Sequence, residues 1–291
     1  MKAIKTEKLT KYYGKSRGII DVDLNVEEGD YYGFIGPNGA GKSTTIRALL
    51  GLIHPTSGKA EIFGKCVSAE ITSILSDIGY LPSETIFYNG MKVSEVLSLS
   101  AKLRGVNCHE EAKKLCERLE LDTTKKVSEL SFGNRKKVGI VCALQHKPRL
   151  CILDEPTSSL DPLMQKEFYS ILDERNRDGA TIFLSSHVLS EVGKYCKKAA
   201  VIREGKILVA DTVEKLAHTG VKRVILKGAN NISSCDQIKS IKAENDTTSF
   251  LYSGDSKSLL SYLASQKFDD FSVSDPDLEE IFMHYYTRED N

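Results

Sequence analysis

Two short stretches carry residue types that could do chemistry together. "GPNGAGKS", Gly36 to Ser43, has the spacing G-x-x-x-x-G-K-[ST], and "CILDEPTSSLD", Cys151 to Asp161, runs apolar residues into two adjacent carboxylates, Asp154 and Glu155. Glycines in the first stretch let successive backbone N–H groups point into a concavity that accepts phosphate oxygens. A helix starting behind that loop adds its positive end, Lys42 reaches the β and γ phosphates, and Ser43 can ligate Mg2+. Carboxylates buried without partners are expensive, so a strand that ends in two of them must surface at once or hold them against a cation. Mg2+ held by Ser43 would be that cation. Asp154 would bind it, and Glu155 would orient and deprotonate a water attacking the terminal phosphate.

The surrounding elements suit that task. "GDYYGFIG" reads as a compact strand and "KSTTIRALLGL" as a helix, so the glycine loop lies in the strand–loop–helix context that a phosphate cradle requires. "GIIDVDLNV" alternates as a strand upstream. From Val93 to about Leu121 the spacing turns helical, an insert within about 84–130. Strand "RLCILD", helix "PLMQKEFYSILDERNRDG", strand "ATIFLSS", helix "VLSEVGKYC" and strands "AAVIREGKILVA" follow, an order that predicts an α/β fold with a mostly parallel sheet. Around "AHTGVKR" the alternation restarts with "VKRVILK", "TTSFLYSG", helix "SKSLLSYLASQ", a further strand and a final helix "DLEEIFMHYY". The expectation is two domains: 1–218 carrying the chemistry, and 219–291 a small α+β accessory domain.

Composition narrows the partners. Forty basic residues balance forty acidic ones, so no global field points to nucleic acid, and none is expected as a partner. Seven scattered cysteines, with no C-x-x-C pair, argue against a zinc site or a disulfide framework and favour a reducing cytosol. "MKAIKTEKLT" has no apolar core, and no apolar run approaches the roughly 18 residues of a spanning helix. Any membrane would have to be crossed by another polypeptide.

The order of the motifs adds a resemblance. The P-loop, then "LSFGN" (Leu130 to Asn134), "ILDEP", "SSLD" and "LSSH" ending at His187 resemble the nucleotide-binding subunit of ABC transporters over about residues 2–216. The resemblance implies a P-loop NTPase core with an antiparallel β subdomain and a helical subdomain, and ATP with Mg2+ as the bound groups. The phosphates would lie along Gly36, Pro37, Asn38, Gly39, Ala40, Gly41, Lys42, Ser43 and Thr44. Tyr13, in "KYYG", would stack on the adenine, with Tyr12 the neighbouring alternative. His187 would contact the γ phosphate, and Asp161 would communicate across a dimer. Ser131 and Gly133 would touch ATP bound to a second copy, so two copies would pair head to tail around two nucleotides.

Two departures stand out. Phe132 and Asn134 replace the usual glycine and glutamine of the signature. In "GYLPSE", Ser83 stands where the family usually has a glutamine that helps hold Mg2+; serine reaches a metal only over a shorter distance, so slower or more partner-dependent hydrolysis is expected. "RKKV", Arg135 to Val138, and "EEAKK" read as solvated helix faces. The histidines at 54, 109, 146, 218 and 284 show no ligand spacing.

The resulting expectation is an ATPase subunit at the inner face of the cell membrane, powering a separate integral-membrane permease. The helical insert would dock on that permease. The tail "PDLEEIFMHYY" resembles exporter ATPases, which favours export of a peptide, antibiotic or lipid-like cargo. The rival readings are a soluble ABC ATPase acting on ribosome or nucleic acid, and a regulatory subunit that binds ATP without turnover.

Overall fold

The computed structural model describes residues 1–14, 16–217, 221–229, 232, 237–244 and 246–276. The chain divides into two compact units, Met1–Asp211 and Thr212–Asn291. The final helix expected at 277–286 lies outside the described residues, as do His218 and His284.

Short alternating segments open the first unit. β1 (Lys2–Tyr13) pairs antiparallel with β2 (Ser16–Val22) and with β3 (Asn25–Glu27). After β4 (Tyr31–Ile35) and α1 (Lys42–Leu49), β5 (Ser57–Ile62) returns to β1, and β6 (Lys65–Cys66) extends the edge, giving the order β2-β1-β5-β6. α2 (Val67–Leu75) then leads to β7 (Ile78–Leu81).

The helical part follows: α3 (Val93–Leu103), α4 (His109–Arg118), a 3-10 turn at Val127–Glu129 and α5 (Phe132–Leu144). β8 (Leu150–Asp154), α6 (Pro162–Arg177), β9 (Thr181–Ser186), α7 (Leu189–Tyr195), β10 (Lys198–Arg203) and β11 (Lys206–Thr212) complete a six-stranded sheet in the order β11-β10-β4-β9-β8-β7. β10-β4, β4-β9, β9-β8 and β8-β7 run parallel. Every residue of β4, β8 and β9 is buried, so these strands read as continuous apolar or small-residue runs rather than alternations. Phe34, Ile46, Leu49, Ile152, Phe183 and Ile202 meet in one core between α1 and the two sheets.

The helical part is tied to α6 by ion pairs. Arg118 reaches Glu167 at 2.5 Å and Glu174 at 2.7 Å, and Arg175, 9% exposed, pairs with Glu111, which Lys147 also meets at 3.2 Å. This corrects the solvated reading of "EEAKK": Glu110, Lys113 and Lys114 are exposed, but Glu111 turns inward. "RKKV" needs a larger correction, because Lys136 is 1% and Lys137 8% exposed. α5 is buried almost all round, so charge alone misled about its face. At Gly139 the helix approaches so closely that a Cβ would lie 2.5 Å from Thr85 Cγ2 and 2.9 Å from Leu81 Cδ1.

The second unit holds α8 (Val213–Ala217), β12 (Val221–Lys227), β13 (Ile238–Glu244), β14 (Thr247–Ser253), α9 (Ser256–Ala264) and β15 (Asp270–Ser274). The antiparallel sheet has the order β13-β14-β12-β15. Val224, Leu226, Phe250 and Tyr252 pack with Leu259 and Leu263 of α9, whose start is capped by Asp255 accepting from the amides of Lys257 and Ser258. β13 was not anticipated: "IKSIKAE" places lysines among its apolar residues and carries no clear period.

Two predictions concern stability. Glu111→Ala leaves Arg175 buried without its partner and should cost about 3 kcal/mol; denaturant unfolding of the full chain measures it, and a loss below about 0.5 kcal/mol would refute the anchor. His146 donates from Nε2–H to Ile78 O, 3.1 Å away, while Nδ1 is buried without a hydrogen-bond partner. Burial, then the Arg104 charge, pushes its pKa down from 6.5 to about 4. The unfolded chain therefore binds more protons between those values, so the stability this ring contributes is present above pH 6.5 and lost as pH falls towards 4. His146→Gln should reduce the difference in unfolding free energy between pH 7 and 4.5 by about 2 kcal/mol; an unaltered pH dependence would refute the assignment.

Candidate active site

Strand register assembles the site. β9 lies between β4 and β8, with Ile35 beside Ser186 and Asp154 beside Ser185, so three parallel strands end at one level. The glycine loop leaves β4, His187 leaves β9 and Glu155 leaves β8 at that edge, the place where open α/β sheets bind ligands.

The loop from Gly36 to Gly41 turns back on itself, with Ala40 N donating to Pro37 O at 3.1 Å. Gly41 caps α1 at φ 112°, a left-handed conformation, and a Cβ there would lie 2.8 Å from Ile19 Cγ2, so only glycine fits. The start of α1 carries no acidic residue in its first turn, which leaves its positive end available to an anion. Lys42, 6% exposed, donates to Gly36 O at 2.6 Å and Pro37 O at 3.3 Å, and lies 3.1 Å from Glu155 Oε1.

Behind the loop, Ser43 Oγ donates to Asp154 Oδ2 at 2.7 Å. Ser185, fully buried, donates to the other oxygen, Oδ1, at 2.5 Å. Sequence reasoning passed over Ser185; it stood in "LSSH", but only the strand register brings it to Asp154. Glu155 has φ 49° and leads out of the strand, its amide donating to Ser185 O at 3.2 Å. Its Oε2 meets His187 Nδ1 at 2.6 Å, so that nitrogen carries the proton when the carboxylate is ionised. The approach of Lys42 to Oε1 is an ion pair outside hydrogen-bond direction, and Oε1 is a buried oxygen with no hydrogen-bond donor. Such an atom is suited to a ligand donor.

The oxygen donors Ser43 and Asp154, side by side at a helix start, fit Mg2+, which takes one or two protein oxygens together with phosphates and waters. No cluster of three or more His, Cys, Asp or Glu that could hold a metal occurs among the described residues.

The other expected residues distribute differently. Tyr13 is 45% and Tyr12 43% exposed at the end of β1. Lys11 Nζ lies 5.5 Å from the Tyr13 ring centroid. A Cβ on Gly18 would lie 3.0 Å from Tyr13 Cε2 and 3.2 Å from Thr44 Cγ2, so the ring and the first turn of α1 flank one glycine. Asn38 and Gly39 are exposed on the loop. Ser131 caps α5, accepting from Asn134 N at 3.3 Å, and Gly133 packs against Ser159. Asp161 caps α6, accepting from the amides of Leu163 and Met164. None of these three bonds to Lys42, Asp154 or Glu155 within the chain. The Ser83 carbonyl accepts from Lys136 Nζ at 2.9 Å; Lys136 is the second residue that the sequence reading missed, since a lysine in a basic run gives no sign of burial.

Comparison with known proteins agrees with this geometry. Residues 19–158 match the ABC transporter family. The bacitracin transport ATP-binding protein BcrA of Bacillus licheniformis is 43% identical over 211 residues, covering 70% of this chain and 68% of that protein. The linearmycin resistance ATP-binding protein LnrL of Bacillus subtilis is 26% identical over 306 residues, covering 98% of each. Among solved structures, an ATP binding subunit of an ABC transporter matches with a TM-score of 0.70 at 29% identity, over 74% of this chain and 91% of that one. At the identity and coverage of the bacitracin protein, this chain belongs to the ABC transporter family, as one of its ATP-hydrolysing subunits.

Proposed function

We propose that two copies of the chain close head to tail around two Mg-ATP and drive a separate membrane permease that exports a peptide, antibiotic or lipid-like cargo. The observation that carries this reading is the bridge Lys42–Glu155–His187 beside the Ser43–Asp154 pair. Residues 1–218 would be the ATP-binding domain and 219–291 an accessory domain.

Bound Mg2+ would supply neutralisation of the charge that develops on the transferred phosphoryl oxygens. Ser43 and Asp154 are the residues that would hold it, and Ser185 fixes the Asp154 carboxylate for that task. Lys42 would exchange loop carbonyls and Glu155 for the β and γ phosphate oxygens. Glu155 Oε1, freed from that ammonium, would accept a hydrogen bond from the attacking water and take its proton. His187 holds the other carboxylate oxygen through Nδ1–H, and its Nε2 would donate to the γ phosphate in the imidazolium form, which carries a proton on both ring nitrogens. Tyr13 offers a half-exposed ring for the adenine. Ser131 and Gly133 would meet the nucleotide of the second copy, and Asp161 would lie near that interface.

A groove of about 940 Å3 between α2, α3 and segment 86–91 supports the permease partner. Leu52, Ile86, Tyr88 and Leu103 are 60–87% exposed around it, an apolar surface that water disfavours. Among the described residues no helix is long and apolar enough to cross a membrane, so the spanning part would come from that partner. In this reading the subunit would work on the cytoplasmic side of that permease. The names of the bacitracin and linearmycin relatives support the cargo class.

Glu155→Gln tests the reading. Phosphate release should fall about 10^2- to 10^4-fold while Mg-ATP still binds, and sedimentation should find an ATP-loaded dimer. A rate within threefold of wild type, or a persistent monomer with saturating Mg-ATP, would sink the proposal. The same variant, captured from detergent-solubilised membranes, should bring down a multi-spanning protein; ribosomes or nucleic acid alone would favour the soluble rival. Ser83→Gln should raise turnover several-fold by extending a side-chain oxygen towards the metal. Unchanged basal and partner-stimulated rates would dismiss a role for the short side chain.

A further inference from the structure

Lys136 is a lysine buried to 1% exposure whose ammonium makes its hydrogen bonds to two consecutive backbone carbonyls, Pro82 O at 3.0 Å and Ser83 O at 2.9 Å. Burying an ammonium is costly, and an unbranched apolar side chain would fill the same space without that cost. Burial outweighs the opposing pull of Asp154 and Glu155 and leaves its pKa lowered to about 8, so the amine lies within the field of both carboxylates.

The carbonyls it holds are not arbitrary. Leu81 pairs with Leu153 across β7 and β8, so Pro82, the first residue after β7, follows at the level of Asp154, the last residue of the adjacent parallel strand. Three residues further on, Thr85 is packed against the α5 backbone at Gly139. Beyond it, Ile86 and Tyr88 are 87% and 78% exposed and line the groove assigned to the permease. Segment 82–88 therefore starts at the carboxylate edge and ends in that groove, and α5 fastens its first half at two points.

We propose that Lys136 is a positioning residue: its ammonium clamps the Pro82–Ser83 backbone beside Asp154, giving the segment with the short Ser83 side chain a fixed place relative to the Mg2+ and water site. The proposal rests on the function proposed above. It assigns to the signature helix a grip on the metal side of its own subunit, separate from any contact of Ser131 with the second copy. Movement of Ile86 and Tyr88 in the groove reaches the carboxylates only as far as this clamp allows.

Lys136→Met keeps the apolar stem and removes the donor, and Lys136→Arg restores a buried cationic donor. In the full chain without nucleotide, the amides of 83–88 should exchange hydrogen about tenfold faster in Lys136→Met, the scale of losing a charge-assisted hydrogen bond. Exchange in β8 and β9 should stay at the wild-type rate. The Mg2+ concentration for half-maximal ATP hydrolysis should rise at least about fivefold, with KM for ATP within about twofold, and Arg should restore most of both. Lower thermal stability with wild-type exchange in 83–88 and an unchanged Mg2+ midpoint would make Lys136 a packing residue and overturn the proposal. Should the Met variant fail to fold, Lys136→Gln, which keeps a neutral donor, is read by the same two criteria with smaller increases expected. A wild type lacking Mg2+-dependent turnover would refute the proposed function, and the exchange data alone would then decide the clamp.

Discussion

Two carboxylates at the end of a fully buried strand set the terms for the rest of the first unit. Asp154 is 2% exposed and cannot be left without donors, so the fold supplies Ser185 from the neighbouring strand and Ser43 from the first turn of α1. Those two bonds require β9 beside β8 in this register and α1 starting within reach of both. A one-residue slip of β9 would turn Ser185 to the other face of the sheet and put Leu184 or Ser186 in its place beside Asp154. The candidate site and the sheet order are thus one constraint, imposed by the charge of a single side chain.

Glu155 carries the constraint out of the strand. Its φ of 49° is a left-handed conformation that costs a non-glycine residue about 1 kcal/mol or more. Local bonds offset it: the amide donates to Ser185 O, and the carbonyl accepts from Ser158 Oγ at 2.8 Å. The turn then sends the carboxylate between Lys42 and His187 rather than along the strand direction, and lets the chain run through Ser159, also left-handed at φ 72°, to the cap of α6. Strain at this turn is what separates two adjacent acids into a buried, hydroxyl-bound group and a group facing a cation and an imidazole.

What could be read from the sequence was what its local chemistry encodes. The glycine loop, the strand into Asp154 and Glu155, and the parallel alternation are each written in a dozen contiguous residues, and the structure brings Lys42, Ser43, Asp154, Glu155 and His187 together. Ser185 was hidden because its role depends on which strand lies beside β8. Lys136 and Glu111 were hidden because charged residues normally mark a solvated face, and only helix packing reveals that α5 is enclosed and that Glu111 meets Arg175. β13 was lost for the opposite reason: its lysines obscure the period of an edge strand, where charge is a usual protection against pairing with another chain.

The signature departure also acquires a physical reading. Ser131 caps α5 and Phe132 is its first helical residue, 46% exposed, so the ring points away from the core. At the next position a Cβ would lie 2.6 Å from the Ser159 carbonyl oxygen. The two positions are therefore unequal: a large residue at 132 meets solvent, whereas any side chain at 133 would collide with backbone and shift α5 away from the turn that follows Glu155. Since α5 also bears Lys136, such a shift would loosen Pro82 and Ser83 as well. Gly133 is thus required by the chain's own packing, and the bulky neighbour at 132 faces solvent without disturbing the helix.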